Sequence, residues 1–125
     1  MAIPSDPLET HRFFAQAFNA GDADALVAMY DPAAVLVPGP GAEAAGHDAI
    51  RAALGQFLAL RGTMHMETTF ALRSGDTALT RSKWRLDGTD PAGKPVVMEG
   101  NSLEVLRRQA DGTWLIVIDH PFGAS

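Results

Sequence analysis

The spacing of apolar residues along this chain changes once, at Gly62. That change limits the folds open to it more than any other feature. Before Gly62, apolar side chains recur every three or four residues; after it they recur at every second residue. The first half therefore predicts helices and the second half strands. Helices followed by antiparallel hairpins make an α+β layer, a curved sheet with helices on one face. A chain of 125 residues is enough for one domain with its own core, taken here as 1–125 with the core at about 8–123.

In the helical half, Asp6-Pro7-Leu8-Glu9 predicts a start: an acidic cap, proline at the first helical position and an acid three residues after the cap. Phe14, Ala17 and Phe18 follow at helical spacing, and Gly21 suits the left-handed residue after a helix. Asp22 caps a second, shorter helix with Leu26, Met29 and Tyr30 on one stripe and Pro32 as its stop. Residues 34–37 suit a short strand, and Pro38-Gly39-Pro40-Gly41 a loop at a pocket rim. Gly46-His47-Asp48 opens a third helix carrying Ile50, Ala53, Leu54 and Phe57, which Gly62 closes.

In the strand half, Met64, Met66, Thr68, Phe70 and Leu72 share one face. After a turn at Ser74-Gly75-Asp76, Ala78, Thr80, Ser82, Trp84 and Leu86 share another. A long strand is expected at 96–108 with Gly100 as a candidate position for a bulge, then a hairpin turn at Ala110-Asp111-Gly112, then a last strand at 114–120 ended by Pro121.

Charge narrows the partners. The chain carries −5, with seven acids against three bases up to Gly62 and eight against seven after it. An acidic chain predicts neither nucleic-acid nor membrane binding, since both need a basic surface. Arg81, Lys83 and Arg85 sit at every second residue and read as the solvated face of a strand. No apolar run approaches the ~18 residues of a membrane span, and the first residues lack a basic region before an apolar core, so a cytoplasmic protein is expected. Cysteine is absent, which removes disulfides, thiolate metal sites and a cysteine nucleophile. No Gly-x-Ser-x-Gly elbow or phosphate loop occurs. His11, His47, His65 and His120 show no metal-ligand spacing, so neither a metal nor a cofactor is expected.

Several segments carry a resemblance when taken together. Residues 18–26, read as Phe-Asn-Ala-Gly-Asp-Ala-Asp-Ala-Leu, followed by Met29-Tyr30-Asp31-Pro32, look like the helix-loop-helix of SnoaL-like proteins. These belong to the superfamily of nuclear transport factor two and ketosteroid isomerase. Gly46-His47-Asp48-Ala49-Ile50-Arg51 resembles the start of that family's third helix. The run from Glu104 to Trp114 resembles its final hairpin, and Asp119-His120-Pro121-Phe122-Gly123 its ending. The resemblance implies a cone-shaped, cystatin-like α+β barrel, its curved antiparallel sheet wrapped around about three N-terminal helices. It also implies an apolar pocket at one end and homodimers paired through the outer sheet face. Members range from isomerases to binding modules, so the reaction has to be argued from the site.

By motif position, the tyrosine of the isomerase members falls on Phe14, the base on Val37 and the neutral acid on Glu104. Two of the three roles lack a suitable side chain, so a true ketosteroid isomerase is not expected. The expected acid–base residues are Glu104 as general acid and His120 or Asp119 as base. Asp119 and His120 are adjacent, so regular alternation sends them to opposite faces. The expected ligand-binding residues are Phe14, Phe18, Tyr30, Met66, Trp84 and Asn101. Tyr30 and Trp84 would orient the ligand through their polar ends. The parity of strand 96–108 turns on the bulge at Gly100, so Glu104 and Asn101 are both candidates for the inner face. The leading expectation is a binding protein for a small apolar or weakly polar molecule. The alternatives are a proton-transfer enzyme of isomerase, dehydratase or cyclase type, and a dimeric module with a packed cone. Leu103, Val105, Ile116 and Ile118 would serve the last of these.

Overall fold

The computed structural model describes residues 3–125. Asp6 caps the chain as its sequence predicts, accepting the Leu8 N–H at 3.0 Å. The turn it caps is a 3-10 turn over Pro7–Glu9, from which helix α1 (Thr10–Asn19) continues. Gly21 ends that segment with φ +67°. The Asp22 carboxylate accepts the Ala25 N–H at 3.0 Å and opens α2 (Ala23–Ala28).

The second helix stops earlier than expected. Tyr30 begins strand β1 (Tyr30–Leu36), and Pro32 lies within this strand instead of stopping a helix. Proline is tolerated in a strand where the ladder is already broken. That is the case here, because the register of β1 against its neighbour shifts between Tyr30 and Val35. A two-residue strand, β2 (Ala44–Ala45), folds back on β1, and α3 spans His47–Leu58. Gly62 has a different role from the expected helix stop. Arg61 takes the left-handed backbone (φ +50°), while a Cβ on Gly62 would lie 2.3 Å from the Asp87 carbonyl oxygen. Gly62 is a point of backbone contact with the neighbouring strand.

Four long strands follow: β3 (Thr63–Ser74), β4 (Thr77–Thr89), β5 (Pro95–Arg108) and β6 (Trp114–His120). The sheet order is β2-β1-β6-β5-β4-β3. Every neighbouring pair is antiparallel except β1 and β6, which are parallel. The sheet is curved and stays open, with β2 and β3 as its edges. Phe18, Leu26, Ile50, Leu54, Trp84, Leu106 and Trp114 fill the space between helices and inner sheet face. Each such side chain contributes about 1.5–3 kcal/mol by leaving water.

Bulges occur in two of the long strands, neither of them where the sequence suggests. The β4–β5 register runs unbroken from Thr77↔Arg107 to Thr89↔Pro95, so Gly100 carries no bulge against β4. Its missing side chain instead seats Trp84, whose Nε1 would lie 2.8 Å from a Cβ there. In β3 the extra residue is Thr69: Thr68 pairs with Ser82 and Phe70 with Arg81. Phe70 and Leu72 therefore turn to the outer face, whereas simple alternation would have kept them inside. In β6 the extra residue is Val117, since Leu106 pairs with Ile116 and Val105 with Ile118. Ile116 is accordingly 2% exposed and Ile118 48% exposed, although they are two residues apart. Ile116 thus belongs to the core and not to an outer apolar face. Leu79, Val105 and Ile118 lie in register across β4, β5 and β6 and form a row on that face. Among the described residues no helix is long and apolar enough to cross a membrane.

Candidate active site

A cavity of about 50 Å³ lies between α1, α3 and the inner sheet face. That is about a third of the ~150 Å³ engineered cavity that accepts benzene, so a six-membered ring enters only as the side chains of the walls move apart. Phe14, Phe18, Leu54, Phe57, Met66 and Trp84 are among its apolar walls, and His11, Glu104 and Asp119 are its titratable ones. The interior is therefore not filled by side chains alone, and ionisable groups border the space.

The two carboxyls come from adjacent strands. In β5, unbroken alternation sends Gly100, Ser102, Glu104 and Leu106 to the inner face. In β6, the extra Val117 reverses the parity and turns Asp119 inward beside Glu104, its register partner. Directly opposed residues of an antiparallel pair have Cβ atoms about 4.5–5.5 Å apart. Glu104 is 4% exposed and Asp119 6%.

Their surroundings differ. Oε1 of Glu104 accepts the Thr80 hydroxyl at 2.7 Å and lies 2.6 Å from Nε2 of His11. Nδ1 of His11 lies 2.7 Å from the Thr68 hydroxyl oxygen. The His11 tautomer with its proton on Nε2 donates to the Glu104 carboxyl and accepts the Thr68 hydroxyl at Nδ1. Oδ2 of Asp119 accepts one hydrogen bond, from the Tyr30 hydroxyl at 2.5 Å. Burial pushes the Asp119 carboxyl up to about 8, with the Glu104 carboxyl adding to the rise and the Tyr30 hydrogen bond opposing it. Burial, and then the charge of Asp119, holds the Tyr30 hydroxyl well above its ordinary value, so it remains a donor. Two neighbouring carboxyls thus border one space with different partners: Glu104 meets His11 and Thr80, while Asp119 meets Tyr30 and keeps its proton near neutrality.

The other expected site residues distribute unevenly. Phe14, Phe18, Met66 and Trp84 border the cavity. Tyr30 stands behind Asp119, its hydroxyl committed to that carboxyl. Trp84 presents its ring to the cavity, while its Nε1–H donates to the Pro121 carbonyl at 2.7 Å. The polar ends of both expected ligand-orienting residues are therefore engaged within the protein. Asn101 is a correction. With no bulge at Gly100 it faces outward, where it borders a polar groove with His65, Glu67 and Lys83. His120 is a second correction: it pairs with Leu103 on the outer face, because the bulge at Val117 gives the inner position to Asp119. Among the described residues no three His, Asp or Glu side chains are grouped to hold a metal.

His11, which from α1 could reach the pocket or sit at its edge, is not among the expected acid–base or ligand-binding residues, yet it is buried at the centre of the site. One signal for it exists in the sequence: it stands on α1 three residues before Phe14, which places both on one helix face. Thr80 and Thr68 are legible there only as inward positions of strands.

A profile of the SnoaL-like domain matches residues 10–117. No curated protein matches the chain. Among solved structures, a ketosteroid isomerase-like protein from Erwinia carotovora atroseptica superposes with TM-score 0.78 at 28% identity, over 88% of this chain and 87% of its own. A conserved protein from Planctomyces limnophilus gives 0.75 at 18% identity, over 90% and 88%. A domain of unknown function with a cystatin-like fold from Nostoc punctiforme gives 0.73 at 18%, over 90% and 71%. The profile spans α1 through most of β6, the same elements that enclose the cavity, and the chain belongs to the SnoaL-like domain family.

Proposed function

We propose that this protein is a proton-transfer enzyme acting on a small, neutral, largely apolar molecule, with Glu104 as base and Asp119 as acid. The supporting observation is the pair of adjacent carboxyls with divergent hydrogen-bond partners on one apolar cavity. The roles differ from the sequence expectation, in which Glu104 is the acid. Glu104 takes a proton from a carbon next to a carbonyl, while the Asp119 O–H hydrogen-bonds the carbonyl oxygen as it gains negative charge. If the Glu104 proton is replaced by one from solvent before it returns to the same carbon, the hydrogen is exchanged; delivery to another carbon isomerises the molecule. His11 and Thr80 orient the Glu104 carboxylate, and Tyr30 orients the Asp119 carboxyl.

Hydrogen–deuterium exchange α to the carbonyl of cyclohexanone in D2O, followed by NMR, tests the chemistry on a simple ketone whatever the natural substrate is. The wild type is expected to accelerate exchange over buffer. Glu104→Gln should lower the rate by roughly 100-fold or more, and Asp119→Asn by a smaller factor. Saturable binding without exchange would overturn the enzyme reading and leave the binding-protein reading in its place.

A further inference from the structure

Among the polar side chains that border the cavity, Glu104 and Asp119 each engage one carboxyl oxygen, and three others have their hydrogen bonds made inside the protein. His11 uses both ring nitrogens, Trp84 its Nε1–H, and Ser102 its hydroxyl against Ser82. Thr10 is different. It lies in the first turn of α1, is 1% exposed and borders the cavity, yet its Oγ1 has no hydrogen-bond partner among the described residues. A hydroxyl left without a partner when buried costs free energy, and a threonine in a first helical turn has common ways to avoid that cost. The Thr10 backbone N–H bonds to the Pro7 carbonyl, but the side chain makes no such bond.

We propose that Thr10 is a specificity-determining residue whose hydroxyl hydrogen-bonds an oxygen of the bound molecule, so that the cavity selects oxo or hydroxy compounds over hydrocarbons of the same shape. This rests on the reading that the cavity takes a ligand, and it adds a polar contact from α1 to those of the carboxyls on the sheet. The only free energy at stake in the empty protein is the burial of an unused hydroxyl. Affinity and stability should therefore move in opposite directions when that hydroxyl is removed.

The experiment compares cyclohexanone with methylenecyclohexane, its oxygen-free counterpart, by NMR titration of the wild type, Thr10→Val and Thr10→Ser. The wild type should prefer cyclohexanone. Thr10→Val should weaken cyclohexanone binding roughly three- to tenfold, the worth of one neutral hydrogen bond, and leave methylenecyclohexane unaffected. Thr10→Ser should keep the preference. The thermal midpoint of Thr10→Val, measured without ligand, should stay level or rise. Equal cyclohexanone affinity in the wild type and Thr10→Val overturns the proposal, as does a clearly lowered midpoint or the absence of binding by either probe at millimolar concentration. If Asp119→Asn erases the preference and Thr10→Val does not, the Thr10 proposal falls while the acid–base reading stands. If the preference depends on Thr10 but no α-hydrogen exchange occurs, the acid–base reading falls and Thr10 stands.

Discussion

Strands β5 and β6 lie side by side and each brings one carboxyl to the cavity, but by different means. Along β5 the pairing with β4 never slips, and Glu104 faces inward by simple parity with Gly100, Ser102 and Leu106. Along β6 parity alone would keep Trp114, Ile116, Ile118 and His120 on the inner face. The extra residue at Val117 exchanges the last two positions, exposing Ile118 and burying Asp119. One carboxyl is thus placed by regular sheet and the other by a single irregularity. Bulges are frequent beside functional sites because they re-aim side chains in this way.

The largest perturbation of that contrast is deletion of Val117 and Ile118 together, which places Asp119 directly after the inward Ile116. It should return β6 to plain alternation, bring His120 toward the cavity and break the Tyr30–Asp119 hydrogen bond. The cost to folding is expected to be about 4 kcal/mol or more, read from urea denaturation. An unchanged denaturation midpoint would mean that the bulge does not hold the inner face together.

On the regular strand the comparable weak point is Gly100. An added methyl group meets the Trp84 ring at 2.8–2.9 Å. Gly100→Ala should cost about 1–3 kcal/mol through overpacking, with the β4–β5 register unslipped. Full stability in this variant would show that the indole has room to move.

The smallest expected effect at neutral pH comes from Asp119→Asn, and it is seen most clearly as a change in pH dependence. The folded-state value of about 8 lies well above the ~3.9 of an unfolded aspartate. The fold therefore holds a proton that the unfolded chain releases across this window. The stability contributed by that proton is complete below about pH 4, declines as pH rises and is lost above about 8. The amide of the variant has no proton to lose, so the decline between pH 4 and 8 should flatten. Parallel stability curves for the two proteins would contradict the burial argument for Asp119.

These comparisons also indicate what a sequence can reveal. The change of period at Gly62, the caps at Asp6 and Asp22 and the turns at Gly75 and Gly112 depend on local chemistry, and the corresponding elements form where expected. Strand β4 alternates without interruption, so Thr80, Ser82 and Trp84 are legible as inward residues. The extra residues at Thr69 and Val117 are not legible, because their neighbours are β-branched or apolar and fit a regular strand equally well. Phe70, His120 and Asn101 depart from expectation for that one reason, an unseen or wrongly placed bulge. The pairing of His11 with Glu104 joins residues 93 positions apart, and only the docking of α1 on the sheet reveals it. Glu104 itself is visible as an acid on a strand, but the choice between base and acid depends on neighbours from α1, β4 and β6.

The seating of Trp84 has a practical consequence. Its ring borders the cavity, its indole N–H is tied to the Pro121 carbonyl, and Phe122 meets it edge-on at 5.4 Å. The other tryptophan, Trp114, is buried and is not among the residues lining the cavity. The protein therefore carries its own optical probe. Changes in Trp84 emission on ligand entry would report occupancy in real time, and a Trp114→Phe variant would isolate that signal without adding a label.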